Sequence, residues 1–300
     1  MKLKLTRMLL GLMLVTLAGW AQAVATYTCS IGAPTAFSDS YSASSNSPVA
    51  LTVVVTCAKS AGGGQGTFNL ASVAPTNNGL NNSGSQNRGV NAGTYINYDL
   101  YTDATCGTLW TGSGALSFTY TAGGAQTMTS TVTYYGCVPS AQTLLPAAGT
   151  FTDTGSLTLS AIAPAVLGGT NPQTFAVSIS VPSICTLPST ISNLAFGTYT
   201  AFGSALTAST NFGMTCNQNL PIISLDVGTS GGVLATDSLY YTMAINTTNS
   251  GGSNPLNGQT GTGTAVTYYI NGIMPAGQAG KCAAASCVAH SETRTLTVTY

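Results

Sequence analysis

The chain has very little charge, since Lys, Arg, Asp and Glu together make up 5% of its 300 residues. Nucleic-acid binding requires clustered Lys and Arg to neutralise phosphates, so the composition argues against a nucleic-acid partner. Apart from the N-terminus, no apolar run approaches the length needed to span a bilayer. We therefore expect no stable membrane insertion.

The first residues have the three parts of a secretory signal peptide. Lys2, Lys4 and Arg7 precede a short apolar run, which ends at the small-residue site Ala21-Gln22-Ala23. We expect residues 1–23 to be removed on export. The mature chain then has four basic residues against seven carboxylates, a formal net charge of −3.

The mature chain also lacks any stretch of helical period. Thr, Ser, Gly, Asn, Val and Tyr are abundant, a composition typical of strands and turns. In "QTFAVSISV" (173–181), Phe175, Val177, Ile179 and Val181 alternate with small or polar residues. Period-two alternation indicates a strand with one face in a core. The sequence therefore predicts an all-β protein.

Residue patterns for catalysis are also missing. The only histidine, His290, is next to Ser291 and Glu292, but neighbours on a strand point to opposite faces, so a surface histidine is preferred over a triad. The carboxylates are scattered, and "GGGQG" (62–66) lacks the Lys-Ser/Thr of a phosphate loop. The sequence predicts no enzyme and no cofactor.

Cysteine, by contrast, is plentiful: eight residues, all after the signal peptide. An even number in an exported chain favours disulfides, although spacing alone leaves their pairing open. Zinc is the weaker alternative, because there is no Cys-x-x-Cys and only one histidine.

An internal repeat organises the chain. Residues 29–57 and 185–216 share one plan: a cysteine, a Pro/Ser turn, an aromatic residue and a strand that ends in cysteine. Residues 149–160 similarly match 289–300. The repeat favours the bridges Cys29–Cys57 and Cys185–Cys216, which leaves Cys106–Cys137 and Cys282–Cys287. We expect two antiparallel β-sandwich domains, 24–181 and 182–300, with long Gly/Asn loops such as 74–93.

Several motifs carry a family resemblance. "NLAFGTYTAFG" starts at residue 193, "NRGVNAGTYINYDLYTDATCGTLW" at 87, "YYGCVPSAQTLLPAAGTFTDT" at 134 and "YYINGIMPAGQ" at 268. With them, the chain resembles the spore coat U family, the pilin-type domains of archaic chaperone–usher pili. Members of this family typically carry FGxY after the first cysteine, and an Arg before a "YxLYTD" strand with a Trp-Gly nearby. The first domain has "TAFSDSY" in place of FGxY, and the second domain lacks the Arg and the Trp-Gly. The resemblance implies that Asp103 and Asp153 cap turns.

The resemblance implies an immunoglobulin-like sandwich that lacks its last strand and takes one from another subunit. Residues 174–181 hold the donor's place before Cys185, but domain one precedes them. We therefore expect Phe175, Val177, Ile179 and Val181 to complete domain one in cis. Domain two has no counterpart of this strand, so it should accept one from another subunit; the alternative is a complete sandwich with fewer strands.

The resemblance also implies a place in the fibre. Only residues 24–28 precede Cys29 after cleavage, too few for a donor strand, so we expect the tip subunit of a pilus that mediates surface attachment and biofilm formation. Its expected partners are a periplasmic pilus chaperone, an outer-membrane usher, an adjacent pilin subunit and an abiotic or host surface. Its expected location is the cell surface. The alternatives are a minor or shaft subunit and a lectin-like adhesin.

Three segments of domain one are unusually apolar for loops. Exposed apolar residues on loops mark interaction sites, so these segments are the candidates for surface binding. The alternative is that they fold into the core, which is preferred for the tryptophan. The candidate residues are Leu109, Trp110, Leu144, Leu145, Ile162, Val166 and Leu167.

Overall fold

The computed structural model describes residues 26–61, 66–72, 81–83, 86–110, 116–120, 127–162, 166–168, 172–227, 231–234, 237–249, 259–281, 286–287 and 292–300. These residues form strands, turns and loops, with no helix among them. Within the same ranges, no segment could cross a membrane as a helix. The fold is all-β, as the sequence predicts.

The chain divides into two compact units. The first runs to Ser140 and resumes over Thr150–Ser180; the second comprises Ala141–Gly149 and Val181–Tyr300. The division after Ser180 is one residue from the boundary that the sequence suggests. The sequence places residues 141–149 in the first domain, whereas in the structure they pack with the second unit.

Twelve strands make up the first unit. They are Thr26–Ile31 (β1), Phe37–Ser40 (β2), Ser47–Ala61 (β3), Gly66–Ser72 (β4), Asn82–Ser83 (β5), Gln86–Asn91 (β6), Thr94–Tyr101 (β7), Leu116–Tyr120 (β8), Thr127–Val138 (β9), Gly149–Ile162 (β10), Val166–Leu167 (β11) and Gln173–Val181 (β12). They join in one sheet, in which nine strands follow the order β11-β1-β3-β9-β7-β6-β10-β12-β2, while β4 pairs with β10 and β8, and β5 pairs with β6. Because β2, at one end of this order, lies against β3 and β9, the sheet folds over on itself around a core.

Two disulfides stabilise the first unit. Cys29 and Cys57 are directly opposite each other on β1 and β3, and their sulfurs are bonded. Cys106 is bonded to Cys137 of β9. The sequence repeat favours the first pairing, and the second is one of the two pairings that the repeat leaves. A bridge that closes a loop of this length adds on the order of 3 kcal/mol of stability.

Two strands, β5 and β6, lie where the sequence predicts only a loop. Residues 86–91 of the predicted loop 74–93 form β6, which pairs with β7 through the turn residues Ala92 and Gly93. Both have positive φ, 45° and 82°, as a two-residue hairpin turn requires. The guanidinium of Arg88 lies 4.3 Å from the centre of the Tyr95 ring. Because Gly and Asn are typical of loops, the composition of this stretch did not predict strands.

Nine strands make up the second unit: Cys185–Thr186 (β13), Tyr199–Thr200 (β14), Leu206–Cys216 (β15), Ser224–Asp226 (β16), Gly231–Leu234 (β17), Leu239–Asn246 (β18), Ala265–Met274 (β19), Ser286–Cys287 (β20) and Thr297–Thr299 (β21). Five form a sheet of order β13-β15-β19-β18-β17, and β14-β20 and β16-β21 are separate pairs. Cys185 is bonded to Cys216 directly across β13 and β15. The predicted Cys282–Cys287 pairing lies outside the described side chains.

Candidate functional site

The strand β12 lies between β10 and β2 in the first unit. Its inward side chains Phe175, Val177, Ile179 and Val181 are each at most 4% exposed. Val177 is paired with Phe37 in parallel register. Phe175, Val177 and Ile179 therefore belong to the core of the first unit, and Val181, one residue past its boundary, is buried as well.

Phe175 has a particularly close neighbour. Its ring lies against Gly155 of β10, and any Cβ at that position would overlap the ring. On the other side, the rings of Phe175 and Tyr134 meet edge to face at 6.2 Å. A glycine at 155 is thus needed for this aromatic side chain to enter the core.

The two units repeat one arrangement around a glycine. In the first unit, Phe37 packs on Gly136, where an added Cβ would lie 2.7 Å from the ring. In the second unit, Phe196 packs on Gly272, where an added Cβ would lie 2.6 Å from the ring. Gly136 is opposite Leu100, and Gly272 is opposite Met243. These matching pairs define equivalent positions in the two units.

A tyrosine–carboxylate pair shows which residues of β10 and of the C-terminal segment 292–300 are equivalent. Tyr98, two residues before Leu100, donates its hydroxyl to Asp153 at 2.8 Å, and burial together with Asp153 raises its pKa, which keeps the hydroxyl protonated. Tyr241, two residues before Met243, donates to Glu292 at 2.6 Å. Glu292 is therefore equivalent to Asp153, one residue away from the end-to-end match of 149–160 with 289–300.

Asp153 itself is not a turn residue, contrary to the implication of the sequence. It lies within β10, is 7% exposed and also accepts the backbone and side-chain N–H groups of Asn81. Asp103 does cap a turn, since it accepts the N–H groups of Thr105, Gly107 and Thr108.

The two units differ in what lies beside β10 and beside its equivalent, the C-terminal segment 292–300. In the first unit, Leu157 and Leu159 of β10 are 0% and 4% exposed, because β12 lies next to them. The equivalent Leu296 and Val298 are half-buried. Among the described residues, β21 pairs only with β16, and no strand occupies the place that β12 takes in the first unit.

Further apolar side chains of the second unit are incompletely covered. Phe37 is fully buried in the first unit, whereas its equivalent Phe196 is half-buried, and so are other side chains that face the same core. They are Ile191, Leu194, Leu206, Leu234, Met243 and Val266. In the first unit β12 lies between β10 and β2, whose equivalents are 292–300 and the segment around Phe196; we therefore call the half-buried side chains of 191–196 and 296–298 the open groove.

Comparison with known families identifies the domain type. Residues 15–158 match the family model of the Spore Coat Protein U domain. The chain carries a Spore Coat Protein U domain. The match ends within β10 of the first unit, while the disulfide, glycine and tyrosine–carboxylate features recur in the second. No curated protein sequence matches the chain.

Three solved structures are similar to the chain. The chaperone–tip adhesion subunit complex CsuC–CsuE of Acinetobacter baumannii Csu pili has 15% identity and a TM-score of 0.44, over 90% of this chain and 99% of that one. The CupB6 tip adhesin of Pseudomonas aeruginosa has 10% identity and a TM-score of 0.35, over 85% of this chain and 92% of that one. The CooA pilin subunit of enterotoxigenic Escherichia coli has 16% identity and a TM-score of 0.32, over 51% of this chain and 98% of that one.

The Spore Coat Protein U domain contains a buried carboxyl group, Asp99, that sequence reasoning missed. Asp99 is 5% exposed, is opposite Cys137 across β7 and β9, and accepts N–H groups from the backbone and side chain of Asn87 at 3.3 Å. Burial raises the pKa of Asp99 from an ordinary 3.8 to about 7, and the Asn87 hydrogen bonds oppose this rise.

This pKa predicts a pH-dependent stability. Between pH 4 and 7 the folded state retains a proton that the unfolded state releases, so stability should fall as the pH rises through this window, by up to about 4 kcal/mol. Trp110 is the only tryptophan after the predicted signal peptide, so its fluorescence during urea unfolding reports this unit. Asp99→Asn should remove most of the slope; an unchanged slope would contradict the assignment.

The candidate binding residues at 109–110 are placed differently from each other. Trp110 is 2% exposed and packs on Tyr134 with ring centres 5.3 Å apart, so it lies in the core, the alternative that the sequence favours for this residue, and not on a binding surface. Among the residues that the structure describes, its indole N–H has no hydrogen-bond partner. Leu109 is half-buried and bridges to Tyr101.

Leu144 and Leu145 lie on a segment that is anchored to the second unit. Leu145 exchanges backbone hydrogen bonds with Gly263 and Gln218, and the carboxamide of the fully buried Asn217 donates to Pro146 O at 2.6 Å. The Leu144 side chain remains 41% exposed. Only the fold brings Asn217 to this segment, 71 residues away in sequence.

The third candidate segment, 161–173, contains a short strand. In this strand, β11, Val166 and Leu167 pair with Thr26 and Tyr27 of β1. The Leu167 side chain is half-buried, and those of Ile162 and Val166 lie outside the described side chains. Within the described ranges, no three His, Cys, Asp or Glu residues converge on a possible metal site, and His290 lies outside those ranges.

Proposed function

We propose that the protein is a subunit of a chaperone–usher pilus, in which β12 completes the first unit and an adjacent subunit supplies the missing strand of the second. One observation carries this proposal. The core-facing Leu157 and Leu159 are covered by β12, whereas the equivalent Leu296 and Val298 are half-buried and, among the described residues, have β16 on one side but no strand in the place that β12 takes in the first unit.

The energetics favour such a partner. A strand with about four apolar side chains in the open groove would gain roughly 6–12 kcal/mol before ordering costs. Until assembly, exposed apolar side chains and unpaired strand edges promote aggregation. A periplasmic chaperone would cover the open groove, and an outer-membrane usher would exchange the chaperone for the next pilin subunit.

The engagement of both possible donor segments supports a position at the pilus tip. The residues directly before Cys29 belong to β1, which pairs with β3 and β11, and Tyr27 is fully buried. The residues before Cys185 include β12, which is buried in the first unit. A shaft or minor subunit would need a free donor segment. The subunit therefore accepts a strand and gives none, and it is exported to the cell surface.

At the tip, the first unit would attach the cell to an abiotic or host surface and promote biofilm formation. The segment 161–173 precedes β12 directly and has no charged residue. Of the candidate residues, Leu167 is half-buried in the first unit, and Leu144, on the segment that packs with the second unit, is 41% exposed. A lectin-like site is the alternative, and screening against immobilised glycans would separate the two.

Two experiments test the function. Affinity purification of the tagged chain from the periplasm should recover a one-to-one complex with a chaperone, and immunogold microscopy should label single fibre ends. Labelling along the whole fibre would instead identify a shaft subunit. Absence of the chain from both the fibres and any chaperone complex would contradict the proposal.

Charges in the segment 161–173 should abolish attachment. Val166→Asp with Leu167→Asp should reduce surface attachment of cells to background, because apolar contact is lost and two charges must be desolvated. Pilus length should stay normal in electron micrographs. The matched control is Thr174→Asp with Ala176→Asp, two added charges on the exposed face of β12. Normal attachment by the first variant would remove this segment from the binding site.

A further inference from the structure

One inward position differs sharply between the two units. Gly155 follows Asp153 by two residues, and Arg294 follows Glu292 by two residues. Since Asp153 and Glu292 accept the hydroxyls of equivalent tyrosines, Gly155 and Arg294 occupy equivalent places on the last strand. A residue without a side chain is thus replaced by one of the largest.

In the first unit this place belongs to Phe175 of the completing strand. Any side chain at Gly155 would overlap the ring, which is 4% exposed. In the second unit Arg294 comes two residues before the half-buried Leu296, which is part of the open groove. A strand that enters there with a large aromatic residue at the Phe175 position would meet the side chain of Arg294.

Several polar contacts hold Arg294 in place. Its Nε and Nη2 atoms donate to the Tyr241 hydroxyl at 2.8 and 2.7 Å, and Nη2 is 3.0 Å from Glu292. Nη2 also packs so closely over Gly232 that a Cβ there would overlap it. Tyr241 is 4% exposed, so moving the guanidinium would break hydrogen bonds that water replaces poorly.

We propose that Arg294 determines which strand the second unit accepts, by excluding a large aromatic side chain from the position equivalent to Phe175. The accepted strand then carries a small residue at this position. The segment 173–181 of a second copy is a poor ligand, which limits pairing of the protein with itself. This inference rests on the proposed uptake of a strand.

Two nine-residue peptides test the proposal with the full mature chain. One has the sequence of residues 173–181, and the other has alanine in place of Phe175. Fluorescence anisotropy of labelled peptides should show at least tenfold tighter binding of the alanine peptide. Trp110 emission should not change, which would show that neither peptide displaces β12 from the first unit.

Variants of the chain assign this preference to the side chain. Arg294→Gly, which copies Gly155, should bind the phenylalanine peptide at least tenfold more tightly than the parent chain does; Arg294→Ala should act in the same direction if the glycine variant is unstable. Arg294→Lys keeps the charge and most of the volume, so it should keep the preference for alanine.

Two results would overturn the inference in different ways. If the parent chain binds the phenylalanine peptide as tightly as the alanine peptide, the second unit accepts strands without selection by Arg294. If no peptide binds any folded variant, strand uptake itself is wrong and the inference falls with it.

Discussion

Replacing Val177 and Ile179 with aspartate should unfold the first unit. The two side chains are 1% and 0% exposed, and each change exchanges about 1.5–3 kcal/mol of apolar burial for a buried charge without a partner. Domain stabilities are of the order of 5–15 kcal/mol, so two such changes exceed what the unit can absorb. Trp110 emission should shift to the red without denaturant.

The control uses the opposite face of the same strand. Thr174→Asp with Ala176→Asp adds the same charge at two exposed positions, and the urea midpoint should move little. Because the second unit contains no tryptophan, its folding is followed separately through protease resistance around Cys185–Cys216. A Val177→Asp/Ile179→Asp variant with native Trp110 emission would show that β12 is a linker rather than part of the core.

The pair Gly155 and Phe175 should show strong energetic coupling. Gly155→Val places a side chain where the Phe175 ring lies, so the ring must leave the core. Phe175→Ala leaves a cavity, which costs about 3–5 kcal/mol. In the double variant the valine occupies part of this cavity, so the loss should be smaller than the sum of the single losses by about 1–3 kcal/mol.

Urea unfolding followed at Trp110 measures the three free energies. Replacing the outward neighbour with Ser156→Val serves as the matched control, since it adds a similar side chain to the same strand away from Phe175. Additive losses for Gly155→Val and Phe175→Ala would mean that the two residues do not meet in solution.

The sequence was sufficient to predict the strands with clear alternation. In 173–181 every second residue is apolar, and the structure buries those residues. The repeat identified the bridges Cys29–Cys57 and Cys185–Cys216, and Cys106–Cys137 followed as one of the pairings that remained. In both cases the information is local or is repeated within the chain.

Other features depend on contacts between distant residues. The end-to-end match of 149–160 with 289–300 sets Leu157 and Leu159 against threonines, and the tyrosine contacts of Asp153 and Glu292 show that the true match is shifted by one residue. The equivalence of Gly155 and Arg294 follows from that register and was therefore missed as well. Nothing local in 141–149 indicates its anchoring by Asn217.

Hydrogen–deuterium exchange of the mature chain, alone and within assembled pili, tests the central claim most directly. The account predicts that amides of 173–181 exchange slowly in both states, whereas amides of 292–300 exchange rapidly in the isolated chain and slowly in the pilus. Rapid exchange of 173–181 in the isolated chain, or equal protection of 292–300 in both states, would contradict it.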